Sequence, residues 1–283
     1  MITNAFEYYR PKSVAEALKI LGEHEGEARV VAGGHSLIPM MKLRMAQISH
    51  LVDLQDVSGL KGITVSDRIV IGAMTTQAEL LASRELAAAA PLMLEAALQI
   101  ADPQVRNMGT IGGNVANGDP GNDMPGLMQC LDASFTLVGP DGSRDVKARD
   151  FYQAAYFTSR TDDEILVAIS FEHPKGGYAY EKQKRKIGDY ATAAAAVQIT
   201  AAGGMVSAAS VAMTNLSDVP VWSAASGAAL VGTTCGPDAV KAAVEAMLKD
   251  INPGEDNRGP VAFKRQVAAV VLGRAIARAW SRV

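Results

Sequence analysis

Two short stretches of this 283-residue chain could do chemistry through their backbones: Ala32-Gly33-Gly34-His35-Ser36-Leu37 and Thr110-Ile111-Gly112-Gly113-Asn114. Paired glycines after an apolar run reach backbone angles closed to other residues and leave their N–H groups uncovered, which suits a phosphate diester. Two such turns in one unit could grip a pyrophosphate from both sides. The same pairs could also be plain turns, as Gly203-Gly204 is expected to be, and spacing by itself does not separate the two readings.

Other chemistries find less support. The chain contains no Gly-x-Gly, so the dinucleotide fingerprint is absent, and neither a phosphate-loop lysine nor a Gly-x-Ser-x-Gly nucleophile elbow occurs. Cys130 and Cys235 stand too far apart for a Cys-x-x-Cys motif, and His24, His35, His50 and His173 are scattered without a metal-binding pattern. Redox work would therefore need an organic cofactor. A net charge of −3 with interspersed signs gives no electrostatic case for nucleic acid. No apolar run reaches spanning length and the start is unlike a signal peptide, so a cytoplasmic protein is expected.

The elements that must hold the glycine turns can be read from local pattern. Ser13 and Glu16 form a capping signature before Val14, Leu18 and Leu21, which predicts a helix. Ala28 to Val31 reads as a buried strand delivering the chain into Gly33-Gly34, followed by a short helix-like segment to Lys42. A further strand over Leu51 to Leu54 closes this first unit. Ile63-Thr64-Val65 and Ile69-Val70-Ile71 then predict a hairpin, with helices over 75–83 and 92–100, the latter entered at Pro91.

Residues 106–123 are dense in Gly, Asn and Asp, and read as a long binding loop without secondary structure of its own. Strands over 135–138 and 165–169 flank it, with a turn at Asp141-Gly142. After a linker at 173–177, a strand at Tyr178, a hairpin around Gly203-Gly204 and helices over 238–249 and 263–280 predict a three-stranded antiparallel sheet carrying helices. The fold class is α+β.

The motifs together resemble a known family, the flavin-binding medium subunits of the molybdenum hydroxylases, which include xanthine dehydrogenases and aerobic carbon monoxide dehydrogenases. Ala32 to Leu37 looks like the first FAD motif of that family and Thr110 to Asn114 like its second, while Tyr180 to Ala193 resembles a strand of its C-terminal domain. Likeness to the carbon monoxide dehydrogenase branch is carried by Gly34 to Arg44, Ala101 to Asn107 and Gly118 to Asp123. Asn114 departs from that branch, which often has Asp there.

This resemblance implies an FAD-binding domain of the PCMH type, vanillyl-alcohol-oxidase-like, over 1–175, with subdomains 1–57 and 58–175. A carbon monoxide dehydrogenase flavoprotein C-terminal domain would follow over 178–283. It implies FAD as cofactor, no metal and no catalytic side chain. Val31, Ala32, Gly33, Gly34, His35, Ser36 and Leu37, with Thr110, Ile111, Gly112, Gly113 and Asn114, would face the pyrophosphate through amides and the Ser36 and Thr110 hydroxyls. Asp123 would lie near the adenosine or ribityl portion, Ile100 and Leu166 against apolar ring surface, and Lys182 near the flavin. Ala101, Val105, Asn117 and Asp119 are adjacent candidates, and Tyr190 would lid the ring or serve in the core.

The implied partners are a small 2Fe–2S subunit and a large molybdopterin subunit in a dimer of heterotrimers, with quinone, NAD or dioxygen as acceptor and an association with the inner membrane face through the complex. A heterocycle, purine or aldehyde dehydrogenase complex, a stand-alone flavin oxidoreductase and an FAD-free scaffold are the competing readings.

Overall fold

The structure, a computed structural model, describes residues 1–283. Its first unit is a three-stranded parallel sheet: β1 (Glu7–Tyr9), helix α1 (Val14–Glu23), β2 (Ala28–Val31), helix α2 (Leu37–Lys42) and β3 (His50–Asp53), with β3 central. Ser13 caps α1 by accepting the Glu16 N–H at 3.1 Å, while the Glu16 carboxylate accepts from the Lys12 N–H at 2.7 Å. The capping pair read from sequence thus closes on the residue before the cap. Since β2 ends at Val31, the first glycine turn leaves the carboxyl end of a parallel strand, where α/β layers leave open crevices.

A second unit is built on a five-stranded antiparallel sheet. Its strands are β4 (Ile63–Val65), β5 (Ile69–Gly72), β6 (Ser134–Gly139), β7 (Gly142–Lys147) and, after a small β8 (Tyr152–Ala154) and β9 (Phe157–Thr158) hairpin, β10 (Ile165–Phe171), in the order β4-β5-β10-β6-β7. Between β5 and β6 run helices α3 (Gln77–Ala82), α4 (Arg84–Ala89), α5 (Pro91–Ala97), α6 (Pro103–Met108), α7 (Ile111–Ala116) and α8 (Asp123–Cys130), and α9 (Ala148–Phe151) follows β7. Alternate residues Ile69, Ile71, Phe135, Leu137, Ile169 and Phe171 are fully buried in the same core as Leu92, Met93 and Leu127.

The stretch 106–123 is not an irregular loop. It contains the end of α6, all of α7 and the start of α8. Asp102 and Thr110 cap α6 and α7 by accepting from Val105 and Gly113 at 2.9 and 3.0 Å. The glycine-rich composition hid helices that last little more than a turn.

The C-terminal unit has four antiparallel strands in sequence order, β11 (Gly177–Gln183), β12 (Ala193–Ala202), β13 (Met205–Thr214) and β14 (Val221–Trp222). The two-residue β14 adds to the expected three. Helix α10 (Ala224–Ala228) follows, then α11 (Pro237–Asp250) and α12 (Val261–Trp280). Along β12, Ala193, Ala195 and Val197 share a core with Met247, Leu272 and Ile276 of α11 and α12, whereas Ala194 and Ala196 share one with Met124 and Leu127 of α8. The unbroken apolar run follows from this two-sided burial: a strand covered on both faces has no position left for a polar residue, so it does not alternate. Helix α8 is correspondingly buried along its whole length, and Gly126 brings it against the Thr214 hydroxyl.

One surface pair fixes the segment that leads into β10. Arg144 grips Glu164 bidentately at 2.5 and 2.8 Å, and the Thr161 N–H adds a third contact at 2.9 Å. The Arg144 guanidinium holds the Glu164 carboxyl down at about 2. A depressed carboxyl contributes stability at pH values above its unfolded pKa of 4.5 and loses it as pH falls towards 2. Arg144→Ala should therefore lower the urea midpoint at pH 6 and narrow its gap to the parent protein by pH 3; an equal gap at both pH values would contradict the pairing.

Candidate functional site

The two glycine turns meet. A Cβ placed on Gly33 would run into the Met108 carbonyl oxygen and lie 2.8 Å from the Gly109 Cα, while one on Gly113 would lie 3.4 Å from the Ala32 Cβ and 2.9 Å from the Thr110 hydroxyl. Gly34 has φ +73°, in the region that favours glycine. Gly112 is held by Ala73, whose Cβ and O would lie 2.5 and 2.6 Å from an added methyl. The glycines are thus required first for backbone-to-backbone packing, which sets the two turns side by side.

They border a cleft of about 700 Å³, within the roughly 300–1,000 Å³ usual for ligand sites. The structure brings eighteen of the expected residues to its wall: Val31, Ala32, Gly33, Gly34, His35, Ser36, Leu37, Ile100, Ala101, Val105, Thr110, Gly112, Gly113, Asn114, Asn117, Asp123, Leu166 and Tyr190. Three lie off it. Ile111 is fully buried in the core, Asp119 accepts the Gly121 N–H at 2.9 Å, and Lys182 stands behind Asp123 at 2.7 Å.

Backbone donors divide unequally between the turns. The amides of Ile111 and Gly112 donate to the Thr75 and Ala73 carbonyls at 2.9 and 2.8 Å, and those of Gly113 and Asn114 to Thr110. The expected donor role of Ile111 to Asn114 is therefore corrected: this turn contributes shape, with its amides taken by the protein. The amides of Gly33, Gly34, His35 and Ser36 donate to no protein acceptor, so the first turn presents the free donors. Nearby, the Asn114 Oδ1 and Asn117 Nδ2 atoms are buried without partners. Polar atoms left this way cost roughly 1–3 kcal/mol each unless a ligand or water meets them.

Elsewhere on the wall, Asp123 accepts from the Tyr180 hydroxyl at 2.5 Å and from Lys182 Nζ at 2.7 Å, and Lys182 also reaches the Gln99 carbonyl at 3.3 Å. Burial pushes the Asp123 carboxyl above the usual carboxylate range, against the pull of the Lys182 ammonium. Breaking such a buried pair from one side costs roughly 3–5 kcal/mol. Tyr190 stands half-exposed at the rim, its ring 2.8 Å from where a Gly121 Cβ would be and within 5.6 Å of the Arg258 guanidinium. Burial, then the Asp119 carboxylate, push the Tyr190 phenol up to about 12.

Several wall residues carry no motif: Gln77, Tyr156, Phe157, Arg160 and Asp162. Gln77 is buried with both carboxamide atoms unpartnered. Burial and the neighbouring Arg29 lower the pKa of the Arg160 guanidinium. Tyr156 has φ +61° and donates its N–H to the Gly118 carbonyl at 2.8 Å, a conformation that no local pattern announces.

Free amides beside two closely packed turns, orphaned carboxamides and a cleft of ligand size fit a flavin dinucleotide. Residues 4–174 match the family described as FAD binding domain in molybdopterin dehydrogenase, and residues 178–279 match the CO dehydrogenase flavoprotein C-terminal domain. The chain belongs to the FAD-binding subunits of the molybdopterin dehydrogenases. It is 52% identical to the carbon monoxide dehydrogenase medium chain of Afipia carboxidovorans, over 100% of this chain and 99% of that one. The glyceraldehyde dehydrogenase medium chain of Sulfolobus acidocaldarius is 36% identical over 95% and 96% of the two chains. A chain of reconstituted CO dehydrogenase from Oligotropha carboxidovorans superposes with a TM-score of 0.98 at 52% identity, covering 100% of both. As a member of this family the chain is a subunit of an oxidoreductase with FAD as its cofactor.

The binding and packing roles of the first turn can be measured apart. Ser36→Ala should leave the melting temperature unchanged and weaken FAD binding by about 2–10-fold, the worth of one hydrogen bond. Gly33→Ala should lower the melting temperature of the flavin-free chain itself, because its methyl meets the Met108 carbonyl. A Gly33→Ala protein as stable as the parent would refute the packing role.

Proposed function

We propose that this chain is the FAD-binding electron-transfer subunit of a carbon monoxide dehydrogenase complex. The reading rests on one observation above others: full-length identity of 52% to the medium chain of such an enzyme. Bound FAD would supply a carrier able to take up and release electrons singly or in pairs. The chain's own residues would hold and orient it. The Gly33 to Ser36 amides would receive the pyrophosphate, Asn114 and Asn117 would meet polar atoms of the cofactor, and Ile100 and Leu166 would cover apolar surface. Asp123, fixed by Lys182 and Tyr180, would present a hydrogen-bond acceptor, with Tyr190 over the opening.

Both cysteines are buried and free, Cys130 pushed up to about 12 by burial, so neither offers a thiolate to a cluster. Substrate oxidation accordingly falls to partner chains, a small 2Fe–2S subunit that delivers electrons and a large molybdopterin subunit, in a dimer of heterotrimers. Quinone, NAD or dioxygen would take the electrons onward. No helix of the chain is long and apolar enough to cross a membrane, so contact with the inner membrane face would come through the complex. We place the domain division between 175 and 178, with subdomains meeting near 57.

The test is the complex as expressed. Carbon monoxide should reduce an artificial dye acceptor through it, and removal of its flavin should abolish dye reduction until FAD is restored. Failure of carbon monoxide where an aldehyde or a purine succeeds would assign the chain to another branch of the family.

A further inference from the structure

Strand β11 is an edge strand, hydrogen-bonded only to β12. Its outer backbone groups would be open to another chain, the usual liability of sheet edges. Here they are met by side chains. Glu95 of α5 accepts the Tyr180 N–H at 3.0 Å, Arg278 of α12 donates to the Tyr180 carbonyl at 2.8 Å, and Arg282 donates to the Tyr178 carbonyl at 2.8 Å. The same Glu95 carboxylate holds both arginines, Arg278 at 2.8 Å and Arg282 at 2.6 Å, while Arg278 also reaches Glu181 at 2.7 Å. Glu95 is thus the single residue of the N-terminal region that meets the β11 backbone and both C-terminal arginines.

The residues pinned in this way are those that hold Asp123, which lines the cleft. Tyr180, whose N–H and carbonyl are both taken, sends its hydroxyl to Asp123, and Lys182 two positions on makes the ion pair with it. Strand alternation puts Tyr180 and Lys182 on one face, so a shift of β11 moves both donors off Asp123 together. Glu95 itself does not line the cleft. We propose that Glu95 is a positioning residue for the cofactor site: by clamping β11 to α5 and α12, it sets Tyr180 and Lys182 on Asp123 and so governs how tightly FAD is held. This rests on the FAD reading above.

The experiment is a double-mutant cycle on the full chain, purified with any subunits that accompany it, stripped of flavin and titrated with FAD. Glu95→Ala should weaken FAD binding about 10-fold, and Glu95→Gln, which keeps an acceptor for the Tyr180 N–H, should recover most of that loss. Tyr180→Phe should weaken binding alone, yet add less than 2-fold once Glu95 is Ala, because both substitutions disturb the same contact to Asp123. Full additivity, or Glu95→Ala with parental affinity, would overturn the proposal. A parent protein that takes up no FAD would instead overturn the reading on which it rests. Should Glu95→Ala fail to fold, Arg282→Ala serves in its place, with the same non-additivity expected.

Discussion

Two backbones can lie as close as those of Gly33 and Met108 only where no side chain intervenes, and the site follows from that contact. The first turn comes off the end of a parallel strand and the second starts a one-and-a-half-turn helix. They belong to different units of the fold, and the glycines let them touch. Because the second turn spends its amides on Ala73, Thr75 and Thr110, it is rigidly seated and can act as the anvil for the first, whose donors stay free. Motifs that look alike in sequence therefore have unlike physical tasks.

The cleft is completed from the other end of the chain. Asp123 opens a helix buried on all sides, and a carboxylate there is tolerable only because Lys182 and Tyr180 arrive from β11 to meet it. Here the electrostatics of the site and the docking of the C-terminal sheet are one arrangement. The Glu95 clamp lies outside the cleft but belongs to the same problem, since a sheet edge that must carry a buried ion pair has to be held in register.

Much of this was legible in the residues. Helix α1 announced itself through Ser13 and its apolar spacing, the hairpins through alternation around Ser66-Asp67 and Gly203-Gly204, and the cleft through its glycine pairs. What stayed hidden had no local signature. Helix α8 shows no amphipathic period because it has no solvent face, and β1 is three residues long and mostly exposed. Gln77, Tyr156 and Arg160 reach the cleft through tertiary contacts alone. The free or engaged state of an amide, which separates the two glycine turns, is likewise set by partners distant in sequence.

The alternation along Ala193 to Ala196 bears on how the molecule comes into being. As the polypeptide emerges from the ribosome, α8 lacks part of its covering until β12 and β13 are synthesised, and the outer face of β12 is covered in full only when α12 has joined α11. Biogenesis is consequently late-closing: a nascent chain without α12 leaves the Ala193, Ala195 and Val197 face of β12 short of Leu272 and Ile276, so the C-terminal core is finished only once that helix has been made.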